Sequence, residues 1–127
     1  MKSGFSLTKR FVPTWNGNID ANAADQLVAV FNMPTIKDLF DIIDVLQTNG
    51  LTDSDIKGKL EQNAKVANEA GTYLPKYVQL QNAEDFTIED VVKYPPYFAL
   101  AVELLFALIA YAQPGEGDAK NSNGLPA

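Results

Sequence analysis

Residues 97–112 read YFALAVELLFALIAYA, apolar around the whole circumference of a helix, with one charge, Glu103, at the middle. At 1.5 Å per residue such a helix is about 24 Å long, short of the ~30 Å hydrocarbon core of a bilayer. It is also greasier than a surface helix of a small domain needs to be. The stretch is therefore expected either to run through the middle of the core or to complete its burial on a partner, and not to span a membrane. Pro95-Pro96 stand just before it, where proline costs a helix no hydrogen bond.

Working outward, the segment after residue 112, QPGEGDAKNSNGLPA, has the composition of a flexible tail over residues 113–127. Upstream, Thr87 and Asp90 form a cap pair ahead of Ile88, Val91 and Val92. Two further cap pairs, Thr35 with Asp38 and Thr52 with Asp55, each precede a helical pattern. The first pattern carries Ile36, Leu39, Phe40, Ile43 and Leu46 as its apolar face and stops at Asn49-Gly50. The second carries Ile56, Leu60, Ala64, Ala67 and Ala70, a thin stripe that permits close approach of a neighbour, and stops at Gly71. Gly58 weakens it by about 1 kcal/mol relative to alanine. Residues 73–86 read equally as a short helix or an extended piece, because Leu74-Pro75 disfavours helix at residue 74.

Near the N-terminus, Phe5, Leu7 and Phe11 alternate, as do Val28 and Val30, around a turn-rich TWNGNIDANAAD. This predicts a β-hairpin or extended ribbon, with a short helix over residues 22–32 as the competing reading. The expected fold is mainly α: a single small domain over residues 1–112, with a ribbon over 1–32, a helical part over 33–112 and the tail beyond.

The chain has 127 residues, no cysteine and no histidine. Disulfides, thiolate or histidine zinc sites and a Ser-His-Asp triad are thereby excluded. The net charge is −6; residues 1–18 hold Lys2, Lys9 and Arg10 without an acid, and the rest holds seven lysines against sixteen acids. So acidic a body repels phosphate backbones, which argues against nucleic acid as a partner.

Four places deserve weighing as sites. Residues 53–58, DSDIKG, resemble the opening of an EF-hand loop, but Lys57 and Ala64 stand where that loop needs oxygen ligands, so acids beside a helix N-terminus are the better reading. Asp38, Asp41 and Asp44 recur at spacing three and read as the solvated side of their helix more readily than as a cation site. Glu103 would have the raised pKa of a general acid if buried, but no second catalytic group accompanies it, and a wetter stripe of Ala99, Glu103, Ala110 and Gln113 explains it. Trp15-Asn16-Gly17-Asn18 is a recognition tip or, by preference, a turn whose Trp packs back on the hairpin. No catalytic, cofactor-binding or metal site is expected.

Three blocks together resemble the tail assembly chaperones of long-tailed phages and prophages. They are Phe11-Val12-Pro13 with Trp15-Asn16-Gly17-Asn18 and Gln26-Leu27-Val28 leading to Pro34-Thr35; the C-terminal DFTIEDVVKYPPYFALAVELLFALIAYA; and Lys120-Asn121-Ser122 after it. The resemblance implies a non-enzymatic protein in the cytoplasm of the bacterial host that binds the tape-measure protein and helps tail-tube subunits polymerise around it. It also admits self-association into a homo-oligomer. The runner-up is a structural virion component such as a neck or tail-completion protein. The alanine stripe of residues 56–70 looks too small to cover the last helix. Phe98, Val102, Leu105, Phe106 and Ile109 are therefore expected to meet a tape-measure segment or a second copy of the chain.

Overall fold

Three short segments pair edge to edge: β1 (Thr8–Phe11), β2 (Val28–Asn32) and β3 (Val78–Gln81) form an antiparallel sheet in the order β1-β2-β3. The computed structural model describes residues 7–48 and 56–113. Lys9 stands opposite Phe31, and Phe11 opposite Ala29, in the β1–β2 ribbon. β3 corrects the expectation of a mainly α domain with only a hairpin or ribbon, because the chain is mixed α/β. Val78-Gln79-Leu80-Gln81 is too short for its period to separate strand from helical turn. The free edge of β2 decides: a two-stranded ribbon leaves β2 with one row of backbone groups unpaired, and β3 pairs with it, Val78 opposite Phe31 and Leu80 opposite Ala29. β3 lies within residues 33–112 and belongs to the sheet by pairing.

The helices are α1 (Ile36–Thr48), α2 (Ile56–Tyr77), α3 (Ile88–Val91) and α4 (Phe98–Ala112), with a 3-10 turn at Pro95–Tyr97 leading into α4. They lie against the face of the sheet that carries Ala29, Phe31 and Val78. Phe31 stacks on Phe11 at 5.6 Å and meets Tyr111 of α4 at 6.3 Å. The other face is polar around Val28 and Val30, and there Arg10 donates a 3.0 Å hydrogen bond to Gln81 across β2.

α4 is the central helix of the core. Leu100, Leu104, Leu105 and Leu108 are fully buried among α1, α2 and the sheet. The inner face of α1, α3 and Phe31 of β2 supply the cover that the alanine stripe of α2 alone lacks. By length and composition Pro95–Ala112 could cross a membrane, with a mean hydropathy of 1.6, but its inner side is this core.

α1 is turned relative to the expected face. Leu39, Ile42 and Leu46 are buried, while Ile36 and Phe40 are 75% and 53% exposed. α2 runs past the stop expected at Gly71 and through Pro75 to Tyr77. Proline loses one backbone donor and crowds the carbonyl four residues earlier, here that of Gly71. Burial of Leu74 and Tyr77 on either side of it offsets that cost. The cap pair at Thr87 forms both reciprocal bonds, at 3.1 and 3.3 Å. The helix over residues 22–32 does not form; only a 3-10 turn, Ala23–Asp25, precedes β2. The stop at Asn49-Gly50, the cap pair Thr52/Asp55, the start of the EF-hand-like run, Phe5, and the tail from residue 114 with Lys120-Asn121-Ser122 lie outside the described residues.

Candidate functional site

The alanine stripe of α2 opens as it runs back toward the start of the helix. Ala70 is buried, Ala67 half-buried and Ala64 exposed. Methyl groups alone cannot fill the space left by the turn of the chain from α3 into α4, which departs from α2 at Pro95-Pro96. The result is an open apolar groove of about 450 Å³. Ala64, Ala67 and Ala70 form one wall, and Val92, Tyr94 and Phe98 the other. Tyr94 is 46% exposed at the lip, and the Lys93 ammonium lies 5.3 Å from its ring centroid. The groove can take up apolar side chains, and among the described residues it has no pair of acids poised for proton transfer.

Of the five residues expected at the interface, Phe98 lines this groove. Leu105 and Ile109 are buried in the core and Val102 is half-buried, so these do not form an outward face. Phe106 is 47% exposed, but it shares the outward stripe of α4 with Ala99 and Ala110, away from the groove. Sequence reasoning missed the groove because it assigned the alanine stripe to packing. The usable signal was the proline pair, which forces a corner opposite small side chains.

Glu103 is neither an isolated acid nor merely a wet position. Its carboxylate accepts from the backbone N–H of Thr14 at 2.7 Å, the Thr14 hydroxyl at 3.1 Å and the backbone N–H of Trp15 at 3.1 Å. It thus caps the 3-10 turn Trp15–Asp20 from another element. Inside that turn Asn16 and Gly17 have φ of 57° and 74°, which Asn and Gly tolerate. The Asn18 carboxamide ties the turn to β2, donating to the carbonyls of Pro13 and Leu27 and accepting from the Leu27 N–H at 2.7 Å. Trp15 packs back, as preferred, but on Phe86 and Tyr97, at 6.1 and 5.8 Å, rather than on the ribbon.

The Asp38–Asp41–Asp44 row divides. Asp38 is buried, accepting from the Tyr77 hydroxyl and, at 2.8 Å, from Lys76. Its own N–H bonds the Thr35 hydroxyl at 3.1 Å, but its carboxylate is taken by α2, so the expected capping box at Thr35 is only half made. The Tyr77 hydroxyl accepts from the Thr35 N–H in its place, at 3.3 Å. Hydrogen bonds from Lys76 and then Tyr77 hold Asp38 below the ordinary carboxylate value. Asp41 pairs with Lys37 at 2.9 Å on the surface. Glu69 is buried without a hydrogen-bond partner among the described residues, and desolvation, with Asp41 nearby, pushes its carboxyl up. Of these acids Asp38 joins α1 to α2, and no group of three His, Cys, Asp or Glu able to hold a metal is found among the described residues.

No family model, no curated protein and no solved structure matches the chain.

Proposed function

We propose that this chain is a non-enzymatic tail assembly chaperone. It binds the tape-measure protein and assists polymerisation of tail-tube subunits, in the cytoplasm of a bacterial host. The observation that carries this reading is the open apolar groove between α2 and the α3–α4 corner, a surface suited to covering a greasy segment and not to bond making. The order of motifs along the chain supports it: the Trp15 turn, the capped α3, the proline pair and the apolar α4. The two carboxylates with the best prospects for chemistry, Asp38 and Glu103, are each occupied in holding elements together.

Two measurements test the proposal. The protein, co-expressed with the long helical tape-measure protein and the tube protein of its own genome, is expected to co-purify with the tape measure. Mass spectrometry of finished particles is expected to lack it. A stoichiometric presence in those particles would instead assign it to the virion as a neck or tail-completion protein.

A further inference from the structure

We infer that the groove receives one amphipathic helix of a partner protein, with large aliphatic side chains at i and i+4 seated against α2 and a carboxylate set to meet Lys93. This deepens the functional reading above and rests on it for the identity of the partner. Three features of the groove select such an occupant. Its length is set by the row Ala64, Ala67 and Ala70, a span of seven residues of α2, about 9 Å or nearly two helical turns. That is long enough to seat two anchors at i and i+4, about 6 Å apart along a docking helix, together with the width of their side chains. Its floor is methyl groups, so a second helix can lie close against α2 while its own large side chains fill the space that alanine leaves. Its far wall supplies the bulk, from Val92, Tyr94 and Phe98. The third feature is charge. Among the described residues Lys93 is the one charged residue lining the groove, and it is exposed. Its ammonium contacts the Tyr94 ring, and no carboxylate pairs with it among the described residues. An acid on the incoming helix completes that pair, whereas a lysine there is repelled.

The probe is a fluorescein-labelled synthetic helix with leucines at i, i+4 and i+7 and a flanking glutamate. Its twin carries lysine in place of the glutamate, and a control has the leucines changed to alanine. Binding to the full chain is read by fluorescence anisotropy. The glutamate peptide is expected to bind about two- to fivefold more tightly than its lysine twin, the range of an exposed ion pair. Lys93→Glu, at an exposed position, is expected to reverse that order. Ala67→Leu, which fills the groove, is expected to weaken both peptides by about tenfold or more, with circular dichroism showing the fold retained. Alanine in place of the leucines is expected to abolish binding. The proposal is overturned if the peptides do not bind, or if binding ignores both Lys93→Glu and Ala67→Leu. It is equally overturned if sedimentation shows a dimer that Ala67→Leu dissociates, which would make a second copy the occupant. Co-purification with the tape measure that survives both substitutions would leave the chaperone reading standing and remove only this one.

Discussion

At the scale of single residues, three carboxylates do three different jobs. Asp38 is held ionised by Lys76 and Tyr77, so its folded-state pKa lies below its ordinary value of 3.8. A depressed carboxylate stabilises the fold above that ordinary value and loses the contribution as pH falls through the lower, folded-state pKa. Glu69 has the opposite sign. Burial raises its pKa above the ordinary 4.5, the folded chain holds the proton more tightly, and stability falls as pH rises through that region. Urea titrations between pH 3 and pH 7 are therefore expected to show Asp38→Asn costing more stability at pH 7 than at pH 3. Glu69→Gln is expected to gain stability at pH 7 and to lose that gain at pH 3. Glu103 acts as a cap made across the fold. Its replacement by alanine leaves the Thr14 and Trp15 N–H groups to water, an expected loss of about 1–2 kcal/mol. Trp15 is the single tryptophan, so its fluorescence should report the loosened turn directly.

At the scale of elements, α2 and α4 show how far local propensity carries. Gly71 sits exposed inside α2, and a Cβ built on it meets nothing within 4 Å. Gly71→Ala is expected to stabilise the protein by about 0.5–1 kcal/mol in chemical denaturation, the intrinsic gain of alanine in a helix. The stop expected at Gly71 fails because Leu74 and Tyr77, beyond it, are buried and draw the helix on. In α4 neighbouring positions differ in consequence. Leu105→Ala removes a fully buried side chain and is expected to cost about 2–5 kcal/mol. Phe106→Ala, on the outward stripe, is expected to change stability by no more than about 0.5 kcal/mol. Thermal melts of the pair separate a core helix from a helix whose whole circumference awaits a partner.

At the scale of the molecule, one core joins the sheet to all four helices, and β3 enters the sheet directly from α2. Unfolding is therefore expected as a single cooperative transition, with Trp15 fluorescence and far-ultraviolet circular dichroism giving the same midpoint. A separate early transition in Trp15 fluorescence would mean that the turn held by Glu103 opens independently. What the sequence by itself determined here is everything that acts within a turn or two of chain. That covers the apolar α4, the capped α3, and the exclusion of cysteine and histidine chemistry. The tertiary structure alone decided β3, the face that α1 buries, the burial of Asp38, the capping role of Glu103, and the groove with Lys93 at its lip. Each depends on partners far along the chain: 39 residues separate Asp38 from Tyr77, and 89 separate Thr14 from Glu103. Periodicity and propensity register neighbours on the chain, whereas a buried acid, an edge strand or a groove exists only once distant surfaces meet and water is excluded between them.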